Sequence, residues 1–342
     1  MDSTAAAVIL KRQGHEVHGL HMKLHPDSDT WGKAQTAAAQ IGIPIEEIDL
    51  TEDFQRLVVT PFVEAYAAGR TPSPCPVCNR VIKLTRLLEK ANSLGCDKLA
   101  TGHYARIEAS VEGPMLLRGL DKRKDQSYFL FMLSRSMLDV VLFPLGSHTK
   151  TRVREWLRQE GFSAWEADES QELCFVPAND YRKFVASRGV EARSGPIKTL
   201  DGKTVGTHGG IVGFTVGQRR GLRIAAAAPL YVLRIDPDAN AIYVGTKEQT
   251  YVNWMKMTGV NLLTELPISI GSRFEVKVRS TAKAVWCTVS RSRGSTLEVR
   301  FDEPQSGVAL GQAGVLYSGD RVMAGGWIEE TDGPTPEDSI PS

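Results

Sequence analysis

The sequence predicts an α/β domain built on a parallel sheet, followed by a small β-rich domain and a C-terminal β-barrel. Two observations carry this prediction. Over the first 160 residues, helix-like and strand-like segments alternate, which is typical of a parallel sheet with helices on both faces. Between residues 257 and 328, short segments that alternate apolar and polar residues recur at even spacing, which is typical of a small barrel.

The helices and strands of the first part can be placed from their composition and their end signals. Ala-rich or Leu-rich segments predict helices over 5–13, 30–41, 54–68 and 80–94, and each is followed by a glycine that suits a C-terminal cap. Apolar segments predict strands over 16–22, 45–50 and 98–101. Ligands of parallel sheets bind beyond the carboxyl ends of the strands, which is where Met22 and Gly102 fall.

The character of the chain changes after about residue 193. Turn signals at 194–196 and 201–202 open a glycine-rich segment, and strands are predicted over 273–279, 284–289, 296–301 and 314–317. We therefore divide the chain into an α/β domain (1–193), a central domain (194–254) and a β-barrel (255–330). Residues 331–342 are rich in Pro, Asp, Glu and Ser, a composition that predicts a disordered tail.

The composition limits the classes of function. The 342 residues carry a net charge of +1 and include 42% hydrophobic residues, which is ordinary for a globular protein. No stretch reaches the roughly 20 apolar residues of a membrane span, and no secretory signal opens the chain. We therefore expect a cytoplasmic protein with no membrane partner. Because the overall charge is balanced, a nucleic-acid partner would need local basic patches.

Two cysteines lie in polar, turn-rich surroundings. Cys78 belongs to TPSPCPVCNR (71–80), and Cys174 belongs to SQELCF (170–175). A thiol in a polar loop can ionise and react, because the thiolate is the nucleophile. The alternative is that both are ordinary buried cysteines. Cys75 and Cys78 also form a Cys-x-x-Cys pair, which Cys174 could complete to a three-thiolate site for a metal or an iron–sulfur cluster; we favour this alternative less.

Nine short, distinctive segments are distributed along nearly the whole chain. They are GLHMK (19–23), GRTPSPCPVCNR (69–80), ATGHYAR (100–106), KDQSYFL (124–130), FPLG (143–146), SQELCF (170–175), TVGQRRGL (215–222), FDEPQ (301–305) and GQ (311–312). In these segments the chain resembles the bacterial tRNA-specific 2-thiouridylases, a family of ATP-dependent tRNA-uridine 2-sulfurtransferases. Their number and order make a chance match untenable.

The resemblance implies a fold and a reaction. The first domain would be an ATP-pyrophosphatase domain, of the adenine nucleotide alpha hydrolase-like class, and the barrel would help to hold tRNA. ATP, with Mg²⁺, would adenylate the C2 oxygen of the wobble uridine, and a cysteine persulfide would then deliver sulfur. Cys174 would carry the persulfide, received from a sulfur-donor protein. Cys78 would be the nucleophile that attacks it and forms a Cys78–Cys174 disulfide.

The resemblance also assigns residues to ATP and to tRNA. The ATP-binding positions are Asp2, Ser3, Met22 and Gly102. The tRNA-binding positions are His103, Lys124, Asp125 and Gln126, with Ser73, Pro74 and Cys75 beside the target base and Arg279, Ser280 and Gln312 on the barrel. Two positions have a second interpretation: Gly102 could serve only a turn, and His103 could be a hydrogen-bonded residue that holds the strand end.

Basic residues cluster in the C-terminal half of the chain, at 219–223 and at 273–279. Strand alternation places Arg273, Glu275, Lys277 and Arg279 on one face, and three basic residues on one face suit RNA phosphates. The alternative is a solvated strand face.

The chain departs from the family pattern at its start and at two contact positions. Members begin with a strand and a phosphate-binding loop, Ser-Gly-Gly-Val-Asp-Ser, of which only Asp2-Ser3 is present here. We expect either a start codon assigned too late or a truncation that leaves a catalytically impaired, tRNA-binding remnant. Ser73 replaces an Asn and Ser280 replaces an aromatic residue. A further alternative is an ATP-pyrophosphatase that acts on a small molecule, which would not need a barrel with a basic face.

Overall fold

In the computed structural model of the chain, the structure describes residues 1–26, 30–166 and 173–333. Its α-helices are α1 (Asp2–Arg12), α2 (Trp31–Ile41), α3 (Thr51–Phe54), α4 (Thr60–Ala67), α5 (Pro74–Cys78), α6 (Leu87–Ser93), α7 (Arg135–Leu138), α8 (Lys150–Gln159) and α9 (Tyr181–Ala186). Two π-helical segments, Gln55–Val59 and Asn79–Arg86, join α3 to α4 and α5 to α6. No helix among these described residues is long and apolar enough to cross a membrane.

The strands fall into three groups along the chain. The first domain contains β1 (Gly19–Lys23), β2 (Ile45–Asp49), β3 (Leu99–Ala100), β4 (Ala105–Glu108), β5 (Met115–Arg118) and β6 (Val141–Leu142). The central part contains β7 (Gly195–Thr199), β8 (Thr204–His208), β9 (Tyr231–Asp236) and β10 (Ala241–Gly245). The last group is β11 (Tyr251–Leu262), β12 (Arg273–Lys277), β13 (Val285–Arg293), β14 (Thr296–Ser306), β15 (Ala313–Ser318) and β16 (Arg321–Thr331).

The parallel pairing predicted for the first domain is confirmed. β1 pairs with β2 and β3 pairs with β6, parallel in both cases, so the described strands form two separate parallel pairs. The sequence predicted that the first strand begins at Glu16, whereas in the structure it begins at Gly19. Gly19 is the first paired residue, and its N–H donates to the Pro44 carbonyl at 2.8 Å. Because Pro44 has no N–H, the ladder cannot continue further in that direction.

The helix that carries Cys78 is longer than the sequence predicted. It runs without a break from Pro74 through the π segment to Ser93, whereas the predicted start at Arg80 was wrong. The prolines of the TPSPCP segment led to the interpretation as a loop. However, Pro74 and Pro76 lie in the first turn, where backbone N–H groups have no acceptor within the helix. Proline therefore costs no hydrogen bond there.

The central part is a small β domain, as predicted. Its four strands pair in the order β8-β7-β10-β9, with β7 and β10 parallel and the other pairs antiparallel. Ile197, Val232, Ile242 and Val244 are completely buried between this sheet and the following loops. The sheet thus has a hydrophobic core of its own.

The last group of strands closes into a barrel, which confirms the predicted C-terminal β-barrel. Its six strands pair in the order β11-β14-β13-β12-β15-β16, and β16 pairs back onto β11. Met255, Val276, Cys287 and Val299 are fully buried in its core. β16 reaches Thr331, and the Asp332 carboxylate accepts backbone hydrogen bonds from β11. The rest of the predicted tail, 334–342, lies outside the described residues.

The barrel and the α/β domain share one hydrophobic core. Val315 and Val322 of the barrel belong to the same buried cluster as Leu116 and Phe131 of the first domain. The hairpin β4–β5 extends the barrel sheet at the β16 edge. In addition, the Tyr128 hydroxyl donates to the Ala313 carbonyl at 2.8 Å. The barrel is therefore packed firmly against the domain that holds the reactive cysteines.

Candidate active site

Three cysteines from two distant parts of the chain act on one another in the structure. Cys75 and Cys78 lie in α5, and Cys174 follows the segment 167–172, which lies outside the described residues. Burial raises the pKa of both Cys75 and Cys78, and the charge of Cys174 adds to that rise, so the three side chains interact electrostatically. Cys174 is exposed, Cys75 is half-buried and Cys78 is buried, and all three thiols are free. The structure therefore brings together the two thiols that the sequence singled out.

The sequence predicted a polar loop around Cys78, and this prediction is wrong. Cys78 ends the first turns of the long helix, is 6% exposed and packs against the main hydrophobic core. Burial raises the pKa of Cys78 to about 12, because the apolar surroundings disfavour the thiolate. Burial also raises the pKa of Cys75. Neither thiol is therefore ionised at neutral pH by its position alone.

A cation that the sequence analysis missed, Lys83, opposes this effect. It lies in the π segment five residues after Cys78, and its charge lowers the pKa of both Cys75 and Cys78. In a π-helix the i→i+5 hydrogen bonds place residues five apart nearly above one another, which an α-helix does not. Lys83 is half-buried and has no carboxylate partner among the described residues. The sequence carried no signal for this contact, because it predicted an ordinary α-helix.

His103 is a buried residue that ties a strand end to this helix. Its Nδ1 lies 2.7 Å from the Thr101 hydroxyl, and its Nε2 lies 3.2 Å from the Asn79 side-chain oxygen. Asn79 in turn donates to the Phe129 carbonyl at 3.0 Å. Burial, with a smaller contribution from the charge of Lys83, lowers the pKa of His103 to about 3, so the ring is neutral. This geometry agrees with the second of the two interpretations of His103.

Three of the four predicted ATP-binding residues meet at the start of α1. A Cβ built on Gly102 would lie 2.7 Å from the Asp2 backbone carbonyl carbon and 2.9 Å from the Ser3 nitrogen. No real Cβ tolerates such distances, so only glycine fits at residue 102. The fourth residue, Met22, lies in β1 and packs half-buried against the main core. The glycine is thus required by the close approach of two chain segments.

A second cation that the sequence analysis missed, Lys150, lies at the same place. Its Nζ is 2.7 and 2.6 Å from the two carboxylate oxygens of Asp2, and it sits 5.5 Å from the centre of the Tyr104 ring. The Tyr104 hydroxyl also donates to Asp2, at 3.2 Å. Thr149 caps the helix that Lys150 begins. These contacts hold a positive charge beside the backbone of Asp2, Ser3 and Gly102.

The predicted tRNA-contacting loop 124–126 uses two of its side chains internally. The Asp125 carboxylate accepts hydrogen bonds from the N–H groups of Gly119 and Ser127, each at 3.0 Å. The Gln126 side chain accepts from the Tyr104 N–H at 2.9 Å. Asp125 and Gln126 therefore shape the loop, and Lys124 is the half-buried basic residue at its start.

The predicted barrel contacts are dispersed. Gln312 donates through Nε2 to the carbonyls of Thr71 and Pro72, at 3.1 and 3.4 Å, and so lies beside the cysteine-bearing helix. Arg279 is exposed beside Gly307, and Ser280 is half-buried next to it. Ser73 occupies the N-cap position of α5 without a side-chain capping hydrogen bond, and Pro74 is the first residue of the helix.

The barrel face that was predicted to bind phosphate is turned partly towards the α/β domain. Alternation holds within β12, where Arg273, Glu275 and Lys277 share a face between buried residues. Glu275 pairs with Arg118 at 3.7 Å, and Lys277 lies 5.9 Å from the centre of the Tyr128 ring. Burial lowers the pKa of Lys277. The strand ends at Lys277, although the alternation of burial continues through buried Val278 to exposed Arg279. The partial burial of Lys277 removes the reason to expect a phosphate contact there.

A metal or iron–sulfur cluster finds no support in the described part of the chain. No group of three or more His, Cys, Asp or Glu side chains is arranged there to hold a metal ion. Cys75, Cys78 and Cys174 are near enough to influence one another but do not form such a group. We therefore derive no chemistry through a cluster.

Comparison with known proteins places these features in one family. Three family models match in order: a tRNA methyl transferase HUP domain over residues 1–178, a tRNA methyl transferase PRC-barrel domain over 182–246, and an aminomethyltransferase beta-barrel domain over 252–328. The curated relatives include proteins named tRNA-specific 2-thiouridylase MnmA. Those of Syntrophotalea carbinolica and Geobacter metallireducens are each 43% identical, over 339 and 347 residues.

The similarity extends over almost the whole of each chain. The Syntrophotalea carbinolica protein is matched over 96% of this chain and 96% of its own length. The protein of the same name from Rickettsia typhi is 39% identical, again with 96% of both chains covered. The order of the domains, the paired cysteines and the extent of the identity lead to one conclusion: the chain belongs to the family of the tRNA-specific 2-thiouridylases.

Proposed function

We propose that the chain catalyses the ATP-dependent 2-thiolation of the wobble uridine of tRNA. The curated relatives carry the name of this activity, and the identity to them extends over nearly the whole chain. The observation that carries the proposal is the electrostatic interaction of Cys174 with Cys78 and Cys75, across a long sequence separation. A pair of thiols, one exposed and one buried, is what sulfur relay from a donor protein to an enclosed substrate requires.

The first step is the activation of the uridine. The C2 oxygen attacks the α-phosphorus of ATP, pyrophosphate leaves, and the oxygen becomes part of a good leaving group, AMP. The backbone at Asp2, Ser3 and Gly102 forms the candidate nucleotide contact, and the ammonium of Lys150 beside it suits a phosphate. We assign no residue to Mg²⁺, because the Asp2 carboxylate is already paired with Lys150.

The second step transfers sulfur between the thiols. Cys174, which is exposed, receives a persulfide from a donor protein. The Cys78 thiolate attacks the inner sulfur of the persulfide, Sγ of Cys174; the Cys78–Cys174 disulfide forms, the bond between Sγ and the terminal sulfur breaks, and the terminal sulfur leaves as hydrosulfide. Hydrosulfide attacks C2 of the adenylated uridine and displaces AMP. A dithiol reductant then restores both thiols for the next turnover.

The experiment that tests this function uses Cys78→Ser and Cys174→Ser. We expect each to abolish 2-thiouridine formation while tRNA binding changes little, because neither thiol is needed to hold the RNA. Cys96→Ser is the matched control, since Cys96 is a free, half-buried thiol outside this cluster. The variants are expressed in a bacterium that lacks its own 2-thiouridylase, and 2-thiouridine is measured by mass spectrometry of its tRNA. Wild-type levels in either variant would exclude the two-thiol relay.

A further inference from the structure

We propose that a barrel clamp, made of Leu310, Gly311, Gln312 and Glu329, positions the segment that leads into the cysteine-bearing helix. Gln312 would then act on the reaction through Thr71, Pro72 and the helix, in addition to any contact that it makes with tRNA. The inference rests on the proposed function, because it concerns the placement of the thiols for sulfur transfer.

The clamp holds the backbone on both sides of Thr71. The Thr71 N–H donates to the Leu310 carbonyl at 3.0 Å, and the Thr71 carbonyl accepts from Gln312 Nε2 at 3.1 Å. The same Nε2 lies 3.4 Å from the Pro72 carbonyl. The N–H and the carbonyl of Thr71 are therefore both bonded to the barrel, although Thr71 and Gln312 are far apart in the chain.

A forked ion pair extends the clamp by one residue. Arg70 donates through Nη1 and Nη2 to the two carboxylate oxygens of Glu329, at 3.1 and 2.8 Å. Two parallel hydrogen bonds of this kind fix an orientation as well as a distance. Arg70 directly precedes Thr71, so the barrel grips consecutive residues of the same segment.

Gly311 allows the two segments to approach. Its φ of +88° lies in the region that glycine adopts without strain, and a Cβ there would lie 3.1 Å from the Thr71 carbonyl oxygen. The clamp thus needs both the backbone conformation and the missing side chain of residue 311.

The position of the clamp explains why it would matter for chemistry. Pro72 and Pro74 restrict the backbone between the clamp and the helix, so little slack separates Thr71 from Cys75 and Cys78. Beyond Cys78, the Asn79 side chain anchors the helix to the Phe129 carbonyl. A loosened clamp would displace the thiols relative to Cys174 and the target base. Misplacement of reacting groups by about 1 Å can cost on the order of a hundredfold in rate.

The first test separates the clamp from a tRNA contact. For Gln312→Ala, the clamp predicts that kcat for 2-thiouridine formation at saturating tRNA falls by about tenfold or more, whatever the change in the Kd for tRNA. A tRNA contact alone at Gln312 predicts a weaker Kd with kcat preserved at saturating tRNA. That result, or an unchanged kcat, would overturn the proposal.

A second pair of variants tests the close approach. Gly311→Ala adds a methyl group against Thr71, whereas Gly271→Ala has a nearly equal φ of +86° and nothing within 4 Å. Both variants place an alanine at a positive φ and are strained to a similar degree. A loss of kcat confined to Gly311→Ala is therefore due to the contact with Thr71. The reversed pair Arg70→Glu with Glu329→Arg should recover part of the kcat that either single variant loses. An equal loss in the two glycine variants contradicts the clamp.

A readout without activity distinguishes failure of the clamp from failure of the proposed function. In the free protein, Gln312→Ala should speed alkylation of Cys75 by iodoacetamide, followed by mass spectrometry, because the segment that holds Cys75 loosens. If the wild type formed no 2-thiouridine but alkylation still accelerated, the clamp would stand and the proposed function would not. Unchanged alkylation, with thermal melting confirming a folded variant, counts against the clamp.

Discussion

The buried thiol of Cys78 shows how a single cation can control chemistry at the residue scale. Burial raises the pKa of Cys78 to about 12, even though the charge of Lys83, one π-helical turn away, lowers it. Only the thiolate attacks a persulfide. Because the charge of Lys83 favours the thiolate, we expect it to increase the fraction of Cys78 that can react at neutral pH.

We expect Lys83→Met to raise the pKa of Cys78 further and to slow its alkylation at pH 8 by about tenfold, the effect of about one pKa unit. Lys83→Arg should restore the rate, because it keeps the charge. Lys90→Met is the control, since Lys90 lies on the same helix but pairs with Glu46 at 2.7 Å. The measurement is the rate of iodoacetamide labelling of Cys78 against pH. A rate in Lys83→Met equal to that in Lys90→Met would rule out this role.

Gly102 leads to another prediction at the residue scale. Gly102→Ala would place a Cβ 2.7 Å from the backbone of Asp2, which must shift the start of α1. We expect weaker ATP binding by calorimetry and a lower melting temperature. Gly209→Ala is the control, because nothing lies within 4 Å of its Cβ and its φ is not positive. Equal ATP affinities in the two variants would show that the contact with α1 does not shape the nucleotide site.

The loop 119–127 is the element whose role changed most once the structure was known. Its Asp125 and Gln126 matched tRNA-contacting positions by sequence, yet their side chains bond to the N–H groups of Gly119, Ser127 and Tyr104. Buried backbone donors need such acceptors, so these side chains stabilise the loop first. If this loop binds RNA, we expect its backbone shape and the side chain of Lys124 to make the contact.

We expect Asp125→Asn to lower the free energy of unfolding by about 1–3 kcal/mol, because one acceptor of two backbone hydrogen bonds loses its charge. Its tRNA affinity should fall only as far as the loop loosens. Asp97→Asn is the control, since Asp97 is exposed and makes no hydrogen bond or ion pair in the described structure. Urea unfolding measures the stability and a gel shift measures tRNA binding. A stable Asp125→Asn protein with greatly weakened tRNA binding would favour direct contact.

At the scale of the whole molecule, the barrel packs against the α/β domain, in addition to the role in tRNA binding that is expected of it. Residues of both belong to one buried core, and the partly exposed Lys277 and Glu275 contact residues of the α/β domain. Within the central domain, Arg219 and Arg220 are exposed, whereas Arg273 is the exposed basic residue of β12 itself. We therefore expect the phosphate contacts of the central domain to outweigh those of β12.

Replacing Arg219 and Arg220 together by Ala should weaken tRNA binding of all sequences alike. The slope of log affinity against log salt should fall by about 1.5–2, as two phosphate contacts release fewer counterions. Lys277→Ala should leave that slope unchanged and lower thermal stability instead. Filter binding at several salt concentrations makes the comparison. If Lys277→Ala flattened the slope and the double variant did not, the RNA would lie on β12.

Local patterns in the sequence determined the succession of domains, the parallel pairing and the barrel, because alternation and helical periodicity depend on which face of each element is buried. They also singled out Cys78 and Cys174. Only the tertiary structure decided that Cys78 is buried, that a π segment sets Lys83 above it, that Lys150 joins Asp2, and that Gln312 reaches Thr71. These contacts join residues far apart in the chain or depend on an irregular helix. These contacts are stabilised by burial and by hydrogen bonds that form only once the elements have packed. A local sequence pattern therefore cannot predict them.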